Sequence, residues 1–128
     1  MLTESKNASK YVELLGRISD EGTKDAFRYI LGFAATRKDF DCHPGIHGKI
    51  RDFRFFDRKN KEQPFAFIPN KKWLLFYLRP PAVQSGKHSF DDLRAIFADA
   101  RAKQKNHWTV KLCSIDDVIR LTAFLGLS

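Results

Sequence analysis

The chain has 128 residues, of which 43% are hydrophobic and 30% are charged, and its formal net charge is +8. This length fits one domain with a single core, and the composition is typical of a folded globular protein and excludes intrinsic disorder. The longest apolar run, Trp73 to Leu78, has six residues, against about 18 needed to cross a bilayer, which excludes a membrane span.

Two helices are predicted at the N-terminal end. Between Ala8 and Ile18 apolar residues recur every three or four positions, which places them on one helical face. Thr23 is predicted to cap a second helix, whose apolar stripe contains Phe27, Ile30, Leu31 and Ala34. The segment Asp39 to Gly48 has no such period and contains a His-Pro-Gly turn signal, so we predict a loop there.

Three strands of an antiparallel meander are predicted next. They are rich in aromatic or branched residues and bounded by turn residues, and they run from Ile50 to Asp57, from Phe65 to Ile68 and from Trp73 to Arg79. Because Trp73 to Leu78 is apolar at every position, we expect this strand to be central and covered on both faces, or nearly so. Pro80 and Pro81 should end it, since proline cannot donate to a sheet ladder.

The C-terminal third is predicted as helix, strand and helix. Ser89 and Ser114 each stand three residues before an aspartate, which is the capping-box spacing at a helix start. Between these helices, Trp108 to Leu112 alternates apolar and polar residues, as a fourth strand would. The predicted order is ααβββαβα, a single two-layer α+β domain that comprises residues 1–128.

A resemblance supports this order of elements. The run from Pro64 to Leu78, followed by a capped helix and then by Trp108 to Val118, resembles the YdhG-like group of uncharacterised bacterial domains. The resemblance covers roughly residues 47 to 125, and similar modules occur beside restriction and modification enzymes. It implies the α+β fold, but the group offers no agreed catalytic residues that could be transferred to this chain.

The cysteines and the N-terminus indicate the compartment. Cys42 and Cys113 lie far apart without CxxC spacing, which predicts free thiols. Residues 1–6 lack the basic and apolar regions of a secretion signal. We therefore expect a cytoplasmic protein, without a membrane partner and without a cofactor.

Most of the positive charge falls within the predicted meander, because residues 49–79 hold nine basic and three acidic side chains. From residue 51 to residue 59 basic residues alternate with aromatic ones, and nucleic-acid surfaces combine cations for phosphate with rings for unpaired bases. Arg101, Lys103 and Lys105 could extend such a surface. We predict a non-enzymatic module that binds DNA or RNA through Arg51, Arg54, Arg58, Lys59, Lys61, Lys71 and Lys72.

The same segment allows other interpretations. Its phenylalanines could build the core while its arginines line the edge of that core. The chain could instead be a small-ligand or protein-interaction domain, as a monomer or a homodimer, because twelve of its seventeen aromatic residues are phenylalanines that could line a pocket or an interface.

Histidines in predicted loops suggest a third function. His43, His47 and His107 could serve as acid and base of a metal-independent ribonuclease, with Lys49 or Lys105 as the phosphate clamp. Cys42, His43 and His47 are also zinc-type ligands within one short segment. A structural zinc site requires four ligands, so we predict no metal.

Overall fold

A computed structural model describes residues 1–3, 8–45, 51–104 and 106–127. Five helices and six strands lie within these residues, in the order ααββββααββα. The helices are α1 (Ala8–Gly16), α2 (Glu21–Thr36), α3 (Pro80–Gln84), α4 (Phe90–Ile96) and α5 (Ile115–Phe124). The strands are β1 (Phe40–Pro44), β2 (Phe53–Asp57), β3 (Glu62–Pro69), β4 (Leu74–Leu78), β5 (Arg101–Lys103) and β6 (His107–Leu112).

The six strands form one open antiparallel sheet in the order β1-β2-β3-β4-β6-β5. The predicted α+β class is confirmed. The predicted order ααβββαβα is incomplete, because the three-stranded meander and the later strand belong to a sheet of six strands. None of the helices in the described ranges is both long enough and apolar enough to cross a bilayer.

Strand β1 replaces the loop that was predicted from Asp39 to Gly48. Phe40, Cys42 and Pro44 alternate toward the core, and an edge strand tolerates the proline because one side of its ladder has no second strand. The first residues of the chain cover that side: the Thr3 amide donates to the Cys42 carbonyl at 2.8 Å. The alternation is short and partly polar, so the turn residues dominated the prediction.

The sequence analysis also missed helix α3 and strand β5. Pro80 does end β4, but it also begins α3, since proline fixes the φ angle that a first helical turn needs. Strand β5 has three exposed residues, and only its pairing with β6 defines it. The capping predictions for Ser89 and Ser114 are confirmed, because each hydroxyl accepts a backbone N–H three residues later, at 3.1 and 3.2 Å.

The predicted cap of α2 was Thr23, but the structure shows that Asp20 caps the start of this helix. The Asp20 carboxylate accepts the Thr23 amide at 2.9 Å, and this hydrogen bond, together with one from the Thr23 hydroxyl, lowers the pKa of Asp20. The Thr23 hydroxyl also lies 2.8 Å from the Lys72 carbonyl oxygen. Thr23 therefore links the helix start to the turn between β3 and β4.

One face of the sheet carries the core. Phe53 and Phe67 stack across β2 and β3 with ring centroids 5.2 Å apart, and Phe27 of α2 meets Phe67 edge-on at 5.9 Å. Phe53 and Phe55 are 0% and 3% exposed, which confirms the interpretation that phenylalanines of this segment build the core. All five helices add buried side chains to the same core, among them Leu14, Phe27, Ala82, Leu93 and Leu121.

Strand β4 is central in the sheet, as predicted, whereas helices cover only one of its two faces. Leu74, Phe76 and Leu78 belong to the helix-covered core, whereas Leu75 and Tyr77 alternate onto the opposite face and are only half-buried. A continuous apolar run therefore does not require a second helical layer.

Candidate functional site

The sheet surface opposite the helices is the open face. The strand register brings one side chain from each strand into a row across this face: His43, Arg54, Ala66, Tyr77, Thr109 and Arg101. With neighbouring strands about 4.8 Å apart, the row spans about 24 Å. The two smallest side chains of the row, Ala66 and Thr109, flank Tyr77 on the neighbouring strands, where they are 6% and 2% exposed.

Two hollows lie on the open face of the sheet. The first hollow has a volume of about 300 Å³ and lies over β2, β3 and β4, with Ala66 and Tyr77 among its lining residues. The second hollow has a volume of about 310 Å³ and lies over β4, β6 and β5, with Leu75 and Thr109 in its lining. Tyr77 pairs with Thr109 across the strands, so the hollows are neighbours. Together they form an uneven surface across the middle of the open face.

Cations surround the hollows without carboxylate partners. Within the described residues, no carboxylate lies within ion-pair distance of Arg79, Arg101, Lys103 or Lys111. Arg79 instead donates to the Gln63 carbonyl at 2.9 Å in the first hollow. In the second hollow three cations, Arg101, Lys103 and Lys111, stand against one carboxylate. The open face is therefore positive over most of its width.

Aromatic rings accompany these cations. The Lys111 ammonium lies 4.3 Å from the ring centroid of Trp73, which is a cation–π contact. Burial raises the pKa of Tyr77 above its ordinary value, so its phenol stays protonated at neutral pH and can donate a hydrogen bond. Neither ring belongs to the core cluster. Both remain available for contacts from outside.

The first hollow also contains an ion pair whose carboxylate is largely buried. Asp52 is 9% exposed, and its Oδ2 accepts a hydrogen bond from Arg54 Nε at 3.0 Å. Its Oδ1 is packed against Gly45, where a Cβ atom would overlap it. Because a buried carboxylate is unfavourable without partners, Arg54 is needed to hold it, and the carboxylate in turn fixes the guanidinium.

Two buried polar atoms in the described part of the chain have no hydrogen-bond partner, and both belong to residues that line the first hollow. They are Asp52 Oδ1 and His107 Nδ1. Folded proteins rarely leave such atoms unpaired, and those that persist are often found at functional sites. The first hollow is therefore the part of the open face with the strongest indication of a specific role.

The cations predicted from the sequence do not form one patch. Arg58, Lys59 and Lys61 lie at the turn between β2 and β3, whereas Lys71 and Lys72 lie at the turn between β3 and β4. These turns are at opposite ends of β3, which has eight residues, so they are roughly 25 Å apart.

The remaining two predicted cations differ in their environment. Arg51 pairs with Glu13 near α1. Only Arg54, of the seven residues predicted to bind nucleic acid, lies on the open face. At the turn, Arg58 Nε stands 3.7 Å from an Asp41 carboxylate oxygen, so part of the charge at that end is neutralised.

The histidines predicted as an acid–base pair are also separated. His43 lies on β1 and His107 on β6, four strand steps or about 19 Å apart. Cys42 is buried in the core, while His43 alternates to the open face. His47, Lys49 and Lys105 lie outside the described residues. No group of three or more His, Cys, Asp or Glu side chains in the described ranges is arranged to hold a metal ion.

Several open-face residues were missed by sequence reasoning. Tyr77 and Trp73 were interpreted as part of an apolar strand, Arg79 as the last residue of that strand, and Lys111 as a polar position of the fourth strand. Strand parity carries the missing signal, since Tyr77 and Arg79 alternate with the buried Phe76 and Leu78 of one strand. The pairing of β4 with β6 and of β6 with β5, which unites these groups, has no local signature.

Comparisons with protein-family models, curated proteins and solved structures find no significant match to this chain. The resemblance to the YdhG-like group stays a prediction.

Proposed function

We propose that the chain is a binding module for single-stranded nucleic acid and that the open face is its contact surface. One observation carries the proposal: Arg79, Arg101 and Lys111, which have no carboxylate partner in the described residues, share a sheet face with the rings of Trp73 and Tyr77. Cations of this kind bind phosphates, and rings stack with bases that are not paired.

The shape of the surface favours a single strand over a duplex. Bases in a duplex stack with each other, so the rings of the open face could not reach them without unstacking. A sheet face about 24 Å wide offers room for several consecutive nucleotides of one strand. Sequence specificity is not part of the proposal, because phosphate contacts and stacking depend little on the identity of the base.

Two variants that each lack three positive charges test where the contact lies. The open-face variant carries Arg101→Gln, Lys103→Gln and Lys111→Gln. The matched control carries Lys59→Gln, Lys71→Gln and Lys72→Gln at the hairpin turns. All six parent residues are exposed, so neither set should disturb the core.

Binding of a fluorescent 12-nucleotide single strand would be measured by anisotropy at several salt concentrations. We expect the open-face variant to lose at least about tenfold in affinity and to reduce the slope of log K against log salt by about 2, since each phosphate contact contributes about 0.7. The control should bind like the parent. A larger loss in the control would instead support the site predicted at the hairpins, and no binding at low salt would reject both.

The small-ligand alternative has one observation in its favour: Asp52 and His107, which line the first hollow, each have a buried polar atom without a hydrogen-bond partner in the described part of the chain. A thermal-shift screen of anionic metabolites against the parent and an Arg79→Gln variant would test it. A ligand that stabilises only the parent, in the absence of any affinity for nucleic acid, would favour this alternative.

A further inference from the structure

We propose that the first hollow is a subsite for one unpaired nucleobase, held between the ring of Tyr77 and the guanidinium of Arg54. This inference rests on the proposed function and adds to it. Electrostatic attraction along the open face would act on any phosphate chain, whereas the first hollow would act on the base itself.

The dimensions of the hollow suit a single base. Arg54 and Tyr77 stand two strands apart in the same row, about 10 Å between their backbones, and only Ala66 lies between them. The alanine methyl group fills little of that interval, and Ile68 continues the apolar floor. A volume of about 300 Å³ lies at the lower end of ligand pockets, which leaves room for one ring system.

The two walls are of the kinds that bind bases in single-stranded nucleic acid, an aromatic face and a guanidinium plane. The Arg54 plane is held in position, because its Nε donates to Asp52 at 3.0 Å. Asp52 is a positioning residue in this account, and its burial next to Gly45 prevents the pair from swinging away. A fixed wall loses little conformational entropy when a base enters.

Polar groups at the rim complete the subsite. Arg79 lies at one end of the hollow without a carboxylate partner in the described ranges, at a place where it can meet the phosphate of the bound nucleotide. Gln63 and His107 line the same end and offer hydrogen-bonding groups to the edge of a base. His107 lines this end of the hollow, and its Nδ1 is a buried polar atom without a hydrogen-bond partner in the described residues, which is a rare condition in folded proteins.

An oligomer without bases distinguishes binding of a base in the subsite from electrostatic attraction to phosphates. The parent would be titrated at low salt with a 12-nucleotide thymidine strand and with an abasic strand of the same length and charge. We expect the parent to bind the thymidine strand about tenfold more tightly, since stacking on one base contributes about that factor. Equal affinity for the two strands would overturn the subsite and the stacking on Trp73 and Tyr77, and it would leave the open face as a contact surface for phosphates alone, whereas binding of neither would reject both proposals.

Filling the hollow provides the second arm of the test. Ala66→Leu changes no charge and projects into the first hollow, so it should remove the tenfold preference and leave the affinity for the abasic strand unchanged. Ala35→Leu, at an exposed position of α2, is the matched control and should behave like the parent. If Ala66→Leu does not fold, as judged by circular dichroism, Tyr77→Leu serves in its place, and a variant that keeps the full preference contradicts the proposal.

Competition identifies what the hollow recognises. Thymidine monophosphate should displace the labelled strand at a lower concentration than deoxyribose 5-phosphate, which has the phosphate and the sugar but no base. Equal competition by the two compounds would show a simple anion site and would also contradict the proposal.

Discussion

The two faces of the sheet are built from the same strands but differ in role: one face packs into the core, and the other is open to contacts from outside. In β4, Phe76 belongs to a core that all five helices help to bury, whereas its neighbour Tyr77 stands on the open face between two hollows. The period of two along a strand thus separates stability from binding at the level of single residues. Counting charges over a whole segment cannot make this separation.

The largest expected difference between the faces is in stability. Phe67→Ala should lower the free energy of unfolding by about 4 kcal/mol, because it removes a fully buried ring that stacks on Phe53 and leaves a cavity. Tyr77→Ala, one strand away on the open face, should lower it by about 1 kcal/mol. Urea unfolding followed by circular dichroism measures both, and similar losses would contradict the division between the faces.

A smaller loss of stability is expected at Gly45, whose backbone lies against the Asp52 carboxylate. Gly45→Ala should lower the free energy of unfolding by about 1 to 3 kcal/mol, because the new methyl group would overlap the buried Asp52 carboxylate. Gly32→Ala is the control, since nothing lies within 4 Å of a Cβ added there in α2. It should raise stability by about 0.4 to 1 kcal/mol. A neutral Gly45→Ala would show that the Asp52–Arg54 pair is free to move.

The smallest expected effect is a difference in reactivity between the two cysteines, and its measurement requires no substitution. Cys113 was predicted to be a free thiol and is exposed, whereas Cys42 is buried. Burial raises the pKa of Cys42 to about 11. Iodoacetamide should therefore modify Cys113 in the folded protein and Cys42 only after unfolding, as mass spectrometry of the peptides would show. Rapid labelling of Cys42 in the folded protein would mean that the β1 edge opens.

Cys42 should also make the free energy of unfolding fall as the pH rises above about 9. Between about pH 9, where a free thiol ionises, and about pH 11 the unfolded chain loses the Cys42 proton while the folded chain keeps it. The stability linked to this group is complete below that window and is lost as the pH rises through it. A Cys42→Ala variant should lose less stability between these two pH values than the parent does.

Much of the fold could be predicted because its signals are local. The apolar stripe around Phe27 and the serine caps at Ser89 and Ser114 act within a few residues, and each was confirmed. Strand β1 was missed because its short alternation is interrupted by polar residues and proline, and β5 because only β6 defines it.

The candidate site could be predicted only in part, for a related reason. Arg54 was identified from its own segment, but its row continues through Tyr77 to Arg101 by way of strand pairings between distant parts of the chain. The predicted cations fall in two hairpin turns that are close in sequence but lie at opposite ends of β3. An antiparallel meander necessarily places consecutive turns at opposite ends of the sheet.

The most direct test of the open face as a binding surface is a nuclear magnetic resonance titration of the isotope-labelled protein with the 12-nucleotide thymidine strand at low salt. The amide signals of Tyr77, Thr109 and Lys111, together with the indole signal of Trp73, should shift as the strand is added. The signals of Lys59 and Lys71 at the hairpin turns should stay in place. Shifts confined to those turns, or to the helices, would contradict the account.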